Sequence, residues 1–149
     1  VFALASISAA QCQATELPDG LAFGRHFSEV EAVVVTNGWE LQKSIVSGWN
    51  VPAANITLYF CNEHLASIDQ REKGSLHLFV ETVQALRLKH GKPETDVFVM
   101  AARDPLETHG IQSVFKSDDG LRISVQIYTR QDGQTLFTRT SKTAVCEPQ

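Results

Sequence analysis

The chain has 149 residues, 43% of them hydrophobic and 20% charged, which suits one domain with a single core. Nine glycines and five prolines are too few for a collagen-like or low-complexity chain, and 13 Lys and Arg against 17 Asp and Glu leave a net charge of -4. That balance lacks the basic footprint of a nucleic-acid binder, so no nucleic-acid partner is expected.

Val1 to Ala14 is apolar, then small, with no charge before Glu16, and is read as the remnant of a secretory signal peptide. It is too short to span a bilayer, and no later run approaches the ~20 apolar residues of a transmembrane helix, so no membrane span is expected. Small residues permit cleavage after Ala10 or after Ala14. The second site is preferred because it removes Cys12 and leaves an even pair, Cys61 and Cys146, for an oxidising compartment. A lipoprotein site is disfavoured, since Gln11 precedes Cys12 where Gly, Ala or Ser is wanted. The expected product is one α+β domain over residues 15–149, periplasmic or secreted, with a Cys61 to Cys146 disulfide.

Thr15 to Gly24 is rich in turn residues. Ser28 and Glu31 have the spacing of a capping box, and Val30, Val33 and Val34 share a helical face, so a short helix from about Glu29 to Thr36 is expected. The β-branched run Val33 to Thr36 followed by Asn37-Gly38 is also a hairpin signal, which keeps a strand open at this point. Trp39 to Val46 is expected as a strand and Ser47 to Ala54 as a loop containing Trp49. Ile56 to Cys61 alternates, turns at Asn62 to His64 and returns through Leu65 to Ile68, a β-hairpin. Ser75 to His90 is an amphipathic helix with a stripe of Leu76, Phe79, Val80, Val83 and Leu86, stopped by Gly91 and Pro93.

Three strands then follow: Val97 to Ala101, Gln112 to Lys116 and Leu121 to Thr129. In the last, Leu121, Ile123, Val125 and Ile127 face one way and Arg122, Ser124, Gln126 and Tyr128 the other, as in a sheet with one solvated side. A turn at Gln131 to Gly133 leads to a return through Leu136 to Ser141. Short connections favour a largely antiparallel sheet, and the expected fold is α+β, two-layered, with two helices packed on that sheet.

The sequence of Phe23-Gly24, Phe27-Ser28-Glu29-Val30, Gly38-Trp39, the LYFCNEHLASI hairpin and His90-Gly91-Lys92-Pro93 resembles small bacterial envelope proteins. The outer-membrane assembly lipoproteins of the SmpA/OmlA type and the β-lactamase inhibitor proteins belong to that neighbourhood. The resemblance implies a non-catalytic envelope protein in which a helix-plus-strands unit can occur twice.

Residues able to carry chemistry are few. Five histidines, at positions 26, 64, 77, 90 and 109, include no helical i,i+4 pair. Cys61 and His64 form a Cys-x-x-His, which would need further ligands from distant segments to hold a metal. No G-x-S-x-G, S-x-x-K or glycine-rich phosphate loop is present, although a dispersed Ser/His/Asp triad would leave no sequence trace. Asp118-Asp119-Gly120 reads as turn chemistry, and Asn55-Ile56-Thr57 is a glycosylation sequon at a strand edge.

Trp49 is read either as an interface anchor or, more commonly for such a residue, as a plug beneath the sheet. With no catalytic residue, metal ligand or cofactor assigned, the leading expectation is a binding domain for another envelope protein or a small ligand. Its candidate surface is Trp49, Arg122, Gln126 and Tyr128. The alternatives are a small hydrolase and a metal-binding protein using Cys61 and His64.

Overall fold

The computed structural model describes residue 17 and residues 20–100, 108–130 and 133–146. The signal-peptide segment, Cys12 and most of the Gln131 to Gly133 turn lie outside these residues.

Helix α1, Phe27–Thr36, begins two residues before the expected start. The Ser28 and Glu31 capping box is not the one used. His26 is the N-cap: its Nδ1 accepts the Ser28 N–H at 3.3 Å, and the Glu29 carboxylate accepts the His26 N–H at 3.0 Å. The start is fixed by tertiary bonds, because the Phe27 N–H is donated to the Glu63 carbonyl at 2.7 Å and the Gly24 N–H to that of Leu65 at 2.9 Å. The helix therefore wins over the hairpin reading of Val33 to Thr36.

The expected strand Trp39 to Val46 shrinks to β1, Gln42–Lys43, and the expected loop Ser47 to Ala54 becomes β2, Trp49–Val51, with a 3-10 turn at Pro52–Ala54. The Ser44 N–H closes on the Gly48 carbonyl at 3.0 Å, which tightens the connection and ends β1 early. Gly48 sits at φ +77, and a Cβ there would lie 2.8 Å from the Leu58 carbonyl oxygen, so only glycine fits beneath the crossing strand.

The hairpin is as expected, with a longer return: β3 is Ile56–Cys61 and β4 is His64–Lys73. Asn62 (φ 49) and Glu63 (φ 64) make the two-residue loop with both residues left-handed, the twist that suits a type I′ hairpin. Helix α2, Leu76–His90, is capped by Ser75, whose Oγ accepts the Leu78 N–H at 3.1 Å, and ends at Gly91, φ 80. Strands β5, Glu94–Met100, β6, Thr108–Lys116, β7, Leu121–Arg130, and β8, Gly133–Lys142, complete the sheet.

The eight strands form one antiparallel sheet in the order β1-β2-β3-β4-β8-β7-β6-β5. The fold is α+β, with two α-helices and that sheet among the described residues. Two apolar clusters hold it. One joins Val30 and Val34 of α1 to Val51, Ile56, Leu58, Leu65 and Ile68. The other joins Phe79 and Leu86 of α2 to Phe115, Ile123, Val125, Ile127 and Leu136.

The expected α2 stripe is partly corrected: Leu76 and Val80 are each 54% exposed, while Phe79, Thr82 and Leu86 are buried. Their i, i+3, i+7 spacing turns that face toward β6 and β7 and leaves Leu76 and Val80 on its shoulder.

Candidate functional site

Antiparallel pairing places directly opposed residues on the same side of a sheet. From Thr57↔Asp69, Asp69↔Arg139, Arg139↔Ser124 and Ser124↔Val114, one row crosses β3, β4, β8, β7 and β6. A parallel row, Arg71↔Phe137, Phe137↔Gln126 and Gln126↔Gln112, runs beside it. Arg122, Ser124, Gln126 and Tyr128 belong to this side, alternating with Ile123, Val125 and Ile127, but the expected solvated side is corrected in part, because Ser124 and Tyr128 are buried as well.

At the centre of the side stands Arg139. Its Nε and Nη2 donate to Oδ1 and Oδ2 of Asp69, each at 2.6 Å, a two-pronged contact that a planar guanidinium makes with a carboxylate. Its Cζ lies 5.5 Å from the Tyr59 ring centroid and 5.6 Å from that of Phe137, with Arg71 a further 5.4 Å above Phe137. The Asp69 carboxylate raises the Arg139 pKa further above its ordinary range, against the opposing effect of burial. Asp69 is buried, whereas the Arg139 side chain is about half exposed, so the cation is oriented and still offered to solvent.

Around it, Gln126 Nε2 donates to Gln112 Oε1 at 2.6 Å, and Thr57 Oγ1 donates to Asn50 Oδ1 at 2.9 Å. Lys116 pairs with Glu94 at 2.9 Å, which holds the Glu94 carboxyl below its usual range through a hydrogen bond and the ammonium charge. Arg122 is exposed, Gln126 is half-buried and Tyr128 is buried at 6%. A polar recess of about 430 Å³ lies among Asn55, Arg71, Lys73, Gln134 and Thr135 at one end of the β4 and β8 pair.

Trp49 lies apart from these residues. Opposed to Leu58, it packs against the first apolar cluster with its ring 4.9 Å from that of Phe27. The structure thus separates Trp49 from Arg122, Gln126 and Tyr128. Sequence reasoning missed Asp69, Arg139, Tyr59 and Phe137. Asp69 and Arg139 are 70 residues apart, and the one local sign was an acidic residue following the hydrophobic Ile68 in an alternating run.

A second cluster surrounds the start of α1. Ser28 Oγ lies 3.0 Å from His26 Nδ1, His26 Nε2 lies 3.2 Å from Glu63 Oε2, and the His26 and His64 rings meet edge to face at 5.6 Å. His64 Nδ1 is 2.7 Å from the Asn62 carbonyl oxygen. Cys61 is the register partner of His64. Among the described residues, no three His, Cys, Asp or Glu side chains converge into a metal-holding group. Asp119 works within its turn, its Oδ1 accepting the Leu121 N–H at 3.3 Å.

No helix among the described residues is long and apolar enough to cross a membrane. The chain matches no protein-family model, no curated protein and no solved structure.

Proposed function

We propose that this protein is a non-catalytic binding domain of the periplasm or another secreted compartment, taking an envelope protein or a small ligand on the sheet side centred on Arg139. The observation that carries this reading is the guanidinium clamped by Asp69 between the Tyr59 and Phe137 rings. Arginine and aromatic side chains dominate binding hot spots, and an arginine already fixed in one geometry loses little further freedom on binding. Strands rather than loops carry these groups, which suits a preorganised surface.

The two apolar clusters support a two-layer arrangement in which α1 and α2 cover one side of the sheet and leave the Arg139 side to a partner. The order of α1 then β1 to β4, and of α2 then β5 to β8, supports a repeated helix-plus-strands unit joined at β4 and β8. That organisation is in keeping with the resemblance to small envelope proteins of the SmpA/OmlA and β-lactamase inhibitor type.

The hydrolase reading has one specific observation in its favour, the Ser28, His26 and Glu63 chain of contacts. The neighbouring backbone donors are already used, however. The Ser28 N–H is donated to His26 Nδ1, that of Phe27 to the Glu63 carbonyl and that of Glu29 to the His26 carbonyl. These bonds serve as a helix cap and offer no donors to a developing oxyanion.

Partner capture from an envelope fraction tests the binding proposal. Arg122→Glu combined with Gln126→Ala should reduce capture at least about tenfold, as expected when a core interface contact worth ~1.4 kcal/mol is lost. Undiminished capture would move the binding surface elsewhere. Esterase or peptidase turnover abolished by Ser28→Ala would replace the proposal with the hydrolase reading.

A further inference from the structure

We propose that Cys61 and Cys146 form a disulfide clasp that fastens the C-terminal end of β8 to the β3–β4 hairpin. Both are free thiols in this structure, Cys61 half-buried and Cys146 exposed. The register directs both toward the same end of β4. Cys61 closes β3 opposite His64, the first residue of β4. Strand β8 runs antiparallel to β4 with Ser141 opposite Ser67, so the residues after Ser141 travel back toward that same hairpin.

The tail is directed there by its own bonds. A 3-10 turn, Thr143–Val145, packs against β4, the Thr143 N–H is donated to the Gly120 carbonyl at 3.2 Å, and the Cys146 N–H returns to the Thr143 carbonyl at 3.0 Å. In keeping with that placement, a hydrogen bond with Cys61, with smaller effects of burial and charge, pushes the Cys146 thiol up.

The clasp forms by thiol–disulfide exchange with a small disulfide such as oxidised glutathione. One thiolate of the pair attacks a glutathione sulfur, breaking that S–S bond, forming a mixed disulfide and releasing one glutathione thiolate. The second thiolate attacks the protein sulfur of the mixed disulfide and releases the other glutathione. Two protein thiols are oxidised, one glutathione disulfide is reduced to two thiols, and the two protons end on the glutathiones. The bond closes residues 61–146, from the end of β3 through β4, α2 and β5 to β8, into one loop.

The test uses the full chain carrying Cys12→Ser, oxidised with glutathione disulfide, then denatured and alkylated without reduction. Peptide mapping should show Cys61 linked to Cys146 and no alkylated thiol at either. The oxidised form should melt on the order of 5–15 °C above its reduced form, a shift absent from Cys146→Ser. Mapping of the unsubstituted chain gives the same answer should Cys12→Ser fold poorly. Alkylation at both cysteines, persistent glutathione adducts, a link to Cys12 or intermolecular dimers would each overturn the clasp.

Discussion

Arg139 meets Asp69 across the β4 and β8 pair with two 2.6 Å hydrogen bonds, and the carboxylate it neutralises is 2% exposed. Removing the cation leaves a buried charge without a partner. Arg139→Met should therefore destabilise the protein by about 2–4 kcal/mol, below the upper range for a fully buried pair because the guanidinium is half exposed. Asp69→Asn in the same background should recover part of the loss. Equal urea midpoints for Arg139→Met and the unsubstituted protein would refute the expected cost.

Phe79 joins α2 to the buried side of β6, β7 and β8 through Phe115, Ile123, Val125 and Leu136. Phe79→Ala should cost about 3–5 kcal/mol, the scale of a large core truncation, whereas Val80→Ala, at an exposed position, should stay within about 0.5 kcal/mol. Chemical denaturation of the two variants side by side checks the contrast. Similar effects would mean that the helix turns another face to the sheet.

Glu63 holds a left-handed backbone at φ 64 in a hairpin whose twist demands it. Its side-chain contact with His26 is exposed and worth little. Glu63→Gly relieves a cost of about 1–2 kcal/mol for a side chain at such φ and gives back roughly 0.5–1 kcal/mol in the unfolded chain, so a net gain near 0.5–1 kcal/mol is expected. A lower thermal midpoint for this variant would show that the carboxylate matters more than the turn.

Glu94 is held below the usual carboxylate range by Lys116. A lowered folded-state pKa means that the pair's contribution is present above the unfolded pKa and lost as pH falls through the folded one. Following the Glu94 side-chain carboxyl by NMR should give a midpoint below that of an ordinary Glu, returning to the normal range in Lys116→Ala. An unchanged midpoint in that variant would assign the shift to something else.

The sequence alone determined the elements whose signals are local. Alternation from Leu121 to Tyr128 wrote β7, with Ile123, Val125 and Ile127 buried as that pattern requires. Ser75 and Gly91 marked both ends of α2, and the Ile56 to Cys61 hairpin followed from a period of two and polar turn residues, although the turn is the two residues Asn62 and Glu63 rather than Asn62 to His64. Each of these depends on neighbours within a few residues, where side-chain period and cap chemistry act directly.

Tertiary structure decided the rest. His26 became the cap of α1 because Glu63 and Leu65 bind the backbone just ahead of the helix, and no periodicity around Ser28 reports that. The polar end of β4, Gln70 to Lys73, is a strand because β8 pairs with it through Thr135 to Thr138, a partner from the far end of the chain. Trp49 was drawn to Phe27 and the first apolar cluster by the packing of β2 against β3. Asp69 and Arg139 acquired their geometry only when a strand 70 residues away was laid alongside. Pairing across that separation is chosen by the burial and hydrogen bonding of the whole sheet, which no local window contains.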